Sequence, residues 1–127
     1  MTDILVIDDE PFIRAEIAAA LKRRGYAVHE AEDGERATEL LATVAPALVV
    51  TDILMPRMDG LELVKSLARL ETRPPVIAIS SGGADGYMEY LKYAKTFGAD
   101  VVLEKPVDLV RLMAEVERLL APPPTPD

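Results

Sequence analysis

Cysteine is absent from the 127 residues, and histidine occurs once, as His29. Without thiols there is no disulfide framework, thiolate metal site or cysteine nucleophile, and a single imidazole excludes a multi-histidine metal centre. Basic residues are in short supply: 14 Lys and Arg stand against 22 Asp and Glu, for a formal net charge of -8. A field of that sign repels phosphate backbones and anionic lipid, so neither nucleic acid nor membrane is expected as a direct partner. Long apolar runs are missing as well. The longest extend a few residues, against the ~20 that span a bilayer, and Asp3 stands where a secretory signal would carry basic charge. The expectation is a soluble, cytoplasmic chain.

What is present suits one compact domain. Half the residues are hydrophobic and 28% are charged, and a single domain usually takes ~100–200 residues. The expected division is a domain over residues 1–120 followed by a solvated, proline-rich tail over 121–127 (APPPTPD), which has no apolar periodicity.

Short apolar runs rich in β-branched residues recur along the chain: Ile4-Leu5-Val6-Ile7, Leu48-Val49-Val50, Val76-Ile77-Ala78-Ile79 and Val101-Val102-Leu103. Each is too short for a helix and continuously apolar, as a strand covered on both faces would be. Ala27-Val28-His29-Glu30-Ala31 mixes polar with apolar residues and is expected at a sheet edge. Between the runs, apolar residues return at helical spacing: Ile13, Ile17 and Leu21; Ala37, Leu40 and Val44; Leu61, Val64 and Ala68; Tyr87, Leu91 and Ala94; Leu109, Leu112, Met113, Val116 and Leu120. Gly25, Asp33-Gly34, Pro46, Pro74-Pro75 and Gly98 punctuate the boundaries. Five strands alternating with five helices predict an α/β fold, a doubly wound parallel sheet sandwiched between two helical layers.

In such sheets ligands bind beyond the carboxyl ends of the strands. There the chain carries Asp8-Asp9, Asp52, Ser80-Ser81 and Glu104-Lys105-Pro106. Two carboxylates ~5 Å apart repel by about 3 kcal/mol at an effective dielectric near 20, so their convergence calls for a proton or a cation. All-oxygen donors favour Mg²⁺. Taken singly, the residues allow plainer roles: Asp8-Asp9 as acidic residues at a helix start, Lys105 as a surface lysine before a turn. Successive strand side chains alternate in direction, so Asp8 and Asp9 share a site only if the chain is already turning. Together the residues fit phosphoryl transfer to a carboxylate, with Asp52 as nucleophile, a cation and Lys105 neutralising charge, and Ser80 and the glycine-bearing loop after it donating hydrogen bonds. His29, on the edge strand, is expected to face solvent.

In order and spacing, five segments resemble the receiver domain of two-component response regulators over residues 3–120: Leu5-Val6-Ile7-Asp8-Asp9-Glu10, Thr51-Asp52-Ile53-Leu54-Met55-Pro56-Arg57-Met58-Asp59-Gly60, Val76-Ile77-Ala78-Ile79-Ser80, Gly98-Ala99-Asp100 and Lys105-Pro106. The resemblance implies a flavodoxin-like, CheY-like (βα)5 fold with strand order 2-1-3-4-5. It implies Asp52 as acceptor of phosphate from a histidine kinase or histidine phosphotransfer protein, with Asp9, Asp52 and the Leu54 carbonyl ligating Mg²⁺ and Asp8 acting through a bound water. Lys105 would pair with the phosphoryl group across a cis Lys105-Pro106 bond, and Ser80 would be the switch hydroxyl. Val102 stands where the family often has an aromatic coupled to that hydroxyl.

The expectation is therefore a stand-alone phosphoacceptor domain, monomeric or weakly dimeric, that switches a downstream protein target or relays phosphate and is not itself an enzyme. Two other readings are weaker. An aspartyl-nucleophile phosphatase needs an acid two residues after the nucleophile, where Leu54 stands, and a constitutive interaction module has no use for the full set of Asp8, Asp9, Asp52, Ser80 and Lys105.

Overall fold

A computed structural model describes residues 2–52, 67, 70, 73–81 and 98–121. Five strands, β1 (Asp3–Ile7), β2 (Ala27–Ala31), β3 (Leu48–Asp52), β4 (Val76–Ser81) and β5 (Val101–Lys105), form one sheet in the order β2-β1-β3-β4-β5. Every pairing is parallel. The mixed β2 segment lies at the edge, as its polar content requires. Apart from Leu67, the third and fourth helical segments expected around residues 61–68 and 87–94, the glycine-bearing loop after Ser81 and the tail from residue 122 lie outside the described residues.

The continuously apolar strands divide their side chains between two cores by strict alternation. Ile4, Val6, Leu48, Val50, Ile77, Ile79, Val101 and Leu103 face one side, where Ile17 and Leu21 of helix α1 (Pro11–Arg23) and Leu112, Met113 and Val116 of helix α3 (Leu109–Leu120) cover them. Leu5, Ile7, Val49, Val76 and Ala78 face the other, against Ala37 of helix α2 (Gly34–Leu41) and Leu67.

The helix ends follow local chemistry. The Asp33 carboxylate accepts the Arg36 N–H at 2.8 Å to cap α2, and Asp108 accepts those of Val110 and Arg111 at 3.0 and 3.3 Å to cap α3. Helix α1 starts differently: Pro11 occupies its first turn, and its N-cap Glu10 makes no side-chain cap. It ends in Lys22 and Arg23, and Gly25 follows at φ +92°, which a side chain would resist.

The pole of the sheet at the amino ends of the strands is held by local hydrogen bonds. The Val76 N–H donates to the Asp100 carboxylate and the Asp100 N–H to the Val76 carbonyl, both at 2.8 Å, while Ala47 donates to the Asp3 carbonyl at 2.8 Å. His29 departs from expectation. It does not stand free in solvent: its Nε2 lies 3.0 Å from the Asp3 carboxylate, and the ring is two-thirds buried. Ala27, its neighbour on the same face of β2, is paired in register with Asp3, and this pairing brings the acid within reach.

Leu21 is fully buried, whereas Phe12 is 89% exposed. In urea titrations we expect Leu21→Ala to cost about 3 kcal/mol and Phe12→Ala less than about 0.5 kcal/mol.

Candidate functional site

Strand parity decides which rim residues meet. Asp8 continues the series Ile4, Val6; Asp52 continues Leu48, Val50; Lys105 continues Val101, Leu103. All three series belong to the α1/α3 face, and their end residues converge there. The Lys105 ammonium lies 2.8 Å from Asp52 Oδ2, 3.2 Å from Asp8 Oδ2 and 3.3 Å from Glu10 Oε1. Asp8 and Asp52 are 1% and 2% exposed. Lys105 is nearly as enclosed, while Glu10 stands at the mouth with its side chain half exposed.

Asp9 and Glu10 complete an acidic cluster with Asp8. One carboxylate oxygen from each lies within 4.8 Å of the others. The chain therefore turns between Asp8 and Asp9, the condition for the two to share a site. It leaves Asp8 buried and Asp9 exposed, with the Glu10 N–H donating to Asp8 Oδ1 at 2.8 Å.

Three carboxylates thus contact one ammonium, and a fourth, Asp9, stands beside Asp8 and Glu10. Burial pushes the Asp8 carboxyl above its ordinary range; the Glu10 N–H and the Lys105 charge offset this only in part. Burial also works against the Lys105 ammonium. The hydrogen bond and charge of Asp52, followed by those of Asp8, outweigh it and hold Lys105 above the usual lysine range, so it stays charged at neutral pH.

Asp8 Oδ2 is buried and, although close to Lys105, has no aligned hydrogen-bond donor among the described residues. A buried carboxylate oxygen left in this state, beside two further carboxylates, fits a hard divalent cation that takes oxygen ligands.

The remaining expected site residues stand as follows. Ser80 ends the run of β4 in register with Glu104, and Ser81 is in register with Lys105, so the backbone brings both to the same rim; their side chains lie outside the description, as does Leu54 altogether. The Lys105-Pro106 peptide is cis. Val102 is partly buried against the Leu5, Ile7 and Val49 core.

Two residues of the site are not singled out by the sequence. Glu10 was legible only as a helix-start residue, although its position beside Asp8-Asp9 was a signal. Arg14, whose Nη1 donates to the Asp8 carbonyl at 2.7 Å, carried a subtler one: a cation in the early part of a helix opposes the helix dipole and needs a local anion.

Compared with known proteins, residues 4–117 match the model of the response regulator receiver domain. The chain is 36% identical over 117 residues to the response regulator MprA of Mycolicibacterium vanbaalenii, covering 92% of this chain and 49% of that protein. It is 37% identical over 117 residues to the regulatory protein AtoC of Escherichia coli, covering 92% of this chain and 25% of that protein. The chain therefore spans at most about half the length of these curated relatives. Among solved structures, the receiver domain of NtrX from Brucella abortus superposes with a TM-score of 0.85 at 36% identity, covering 93% of this chain and 98% of that one. A CheY-like receiver domain protein from Methanospirillum hungatei shares the fold, with a TM-score of 0.84 over 93% of this chain and 92% of that one at 24% identity.

The raised Asp8 carboxyl sets a pH dependence. A group whose folded pKa exceeds its unfolded value stabilises the fold below the unfolded pKa, and that contribution is lost as pH rises through the folded value. Charged Asp8 is therefore a liability at neutral pH without a cation. We expect metal-free Asp8→Asn to gain on the order of 1 kcal/mol over the unaltered chain at pH 7, with the gap closing as the medium is acidified toward pH 4; urea midpoints across that range measure it.

Proposed function

This chain belongs to the response regulator receiver domain family, and on that premise we propose that it takes a phosphoryl group onto Asp52 from a histidine kinase or a histidine phosphotransfer protein. The observation that carries the reading is the 2.8 Å contact between a buried Asp52 carboxylate and an enclosed Lys105 ammonium, beside a second buried carboxylate lacking a full set of partners.

The Asp52 carboxylate attacks phosphorus, a P–O bond to Asp52 forms, and the P–N bond to the donor imidazole breaks, leaving that nitrogen with the electron pair. Lys105 is held on Asp52 Oδ2 and so lies within reach of oxygens arriving on phosphorus. Its charge, secured by two buried carboxylates, compensates the negative charge that the phosphoryl group brings. Asp9, Asp52 and the Leu54 carbonyl, with Asp8 through a water, would hold a magnesium ion, which supplies neutralisation of phosphoryl oxygens when bound. Ser80, at the same rim, would donate its hydroxyl to the phosphoryl group once it is in place.

Phosphorylation then alters which proteins bind, or the phosphate passes onward. The domain assists its own phosphorylation and dephosphorylation and does not turn over a separate substrate. The unit is residues 1–120, with 121–127 as a solvated tail. We read it as acting in the cytoplasm, as a monomer or weak dimer; among the described residues no helix is long and apolar enough to cross a membrane.

Incubation with Mg²⁺ and acetyl phosphate should add one phosphoryl group that hydroxylamine removes, read by intact-mass spectrometry. Asp52→Asn should abolish the adduct, and labelling that survives this substitution would place the acceptor elsewhere. Lys105→Ala, which takes the ammonium away from Asp8 and Asp52, should lower stability yet still fold, and should form the adduct at least tenfold more slowly, measured from the time course of the same mass shift.

A further inference from the structure

We propose that Arg14 is a positioning residue: its guanidinium clamps the backbone at Asp8 and thereby holds the Asp8 and Asp9 carboxylates on one side of the chain for a divalent cation. The inference rests on the phosphoacceptor reading above and extends it to a residue outside the acidic cluster.

Three observations lead to it. The first is geometric. Arg14 Nη1 donates to the Asp8 carbonyl at 2.7 Å, and its Nε lies 3.4 Å from Glu30 Oε1 on β2. The Lys22 ammonium approaches the other Glu30 oxygen at 4.0 Å. The arginine side chain is 20% exposed, so the fork is enclosed between helix and edge strand. Charge-assisted bonds from a planar guanidinium fix direction as well as distance.

The second is the conformational requirement of the turn. An extended chain would send Asp8 and Asp9 to opposite faces, yet their carboxylates lie within 4.8 Å. The Asp8 N–H still pairs in the sheet, donating to the Ala31 carbonyl at 3.1 Å, and the chain bends immediately after it. Two bonds secure the bend. One runs from the Glu10 N–H to Asp8 Oδ1 and occupies an oxygen of the acid itself. The other is Arg14 on the Asp8 carbonyl, which holds the backbone and leaves the carboxylate oxygens for a ligand.

The third is placement. Arg14 lies four residues after the N-cap Glu10, where the helix dipole disfavours a cation and where the first turn contains no acidic residue. Long side chains on a helix lean toward its N-terminus, and from this position that lean carries the guanidinium to the bend. Glu30 meets it from β2 and orients the fork.

Charge alone predicts the opposite outcome from positioning, which makes the test decisive. A cation beside an acidic site repels a second cation, so an Arg14 that acted only through its charge would weaken magnesium binding, and its removal would tighten it. Calorimetric titration of the full chain with MgCl₂, together with amide hydrogen exchange at Glu10 in metal-free buffer, separates the two. We expect Arg14→Met to weaken magnesium binding about tenfold, as loss of an outer-shell partner does elsewhere, and to speed exchange at the Glu10 N–H. Arg14→Lys, which keeps the charge and one donor, should recover part of both. Glu30→Gln, which retains Arg14 but loosens its orientation, should speed exchange at the Glu10 N–H, a readout that loss of one negative charge does not itself move, and it serves as the deciding variant if Arg14→Met does not fold. Unchanged or tighter magnesium binding in folded Arg14→Met, or unaltered Glu10 exchange in folded Glu30→Gln, overturns the inference. Absence of magnesium uptake by the unaltered chain would instead overturn the function proposed above.

Discussion

One ammonium shared among three carboxylates organises the active rim. Lys105 comes from β5, Asp52 from β3, and Asp8 and Glu10 from the turn after β1, so the contacts at 2.8, 3.2 and 3.3 Å join the ends of three strands. Removing charges from water is costly; the ion contacts outweigh that cost for Lys105 but offset only part of it for Asp8. The raised Asp8 carboxyl is the residue of this imbalance, and it marks where an additional positive charge is favoured. Stability and cation affinity are thus opposed in the same few atoms: groups that would make the metal-free fold more stable are those that would take away the site.

Much of this was legible from the sequence, for identifiable reasons. The strands were readable because burial on both faces demands short, continuously apolar, β-branched runs, and β2 was readable as an edge because it breaks that rule. The acids and the lysine were found because they finish the runs. Parity was also there to be counted: Asp8, Asp52 and Lys105 each fall two residues after an apolar residue facing α1 and α3, which is why they meet. What local pattern could not show was the division of labour within the turn, where Asp8 is buried and Asp9 exposed, since this depends on how sharply the chain bends after Ile7. Glu10 on Lys105 and Arg14 on the Asp8 backbone depend on that same bend. The His29 contact with Asp3 depends on register between two parallel strands separated by a helix, and no spacing within either strand encodes it.

Val102 gives the chain a particular character within its family. It lies on β5 among residues packed toward the Leu5, Ile7 and Val49 core, in the position where the resemblance leads one to expect a mobile aromatic. A valine is restricted to few χ1 states and has no ring to swing between inside and outside. Any signal leaving the proposed acceptor site along β5 would therefore travel by backbone displacement or by repacking of neighbours, not by rotation of that side chain.

The two ends of the sheet are held by different forces. At the amino ends of the strands, Val76 and Asp100 exchange short hydrogen bonds and Ala47 is tied to the Asp3 carbonyl, a network built largely on backbone groups. At the carboxyl ends, cohesion comes mainly from full charges, most of them buried where electrolyte screens little, with only the Glu10 contact at the mouth open to it. A cation entering the buried pocket would therefore shift the charge balance at one extremity of the sheet, while the hydrogen bonds that tie Val76 to Asp100 and Ala47 to Asp3 lie at the other, out of its reach.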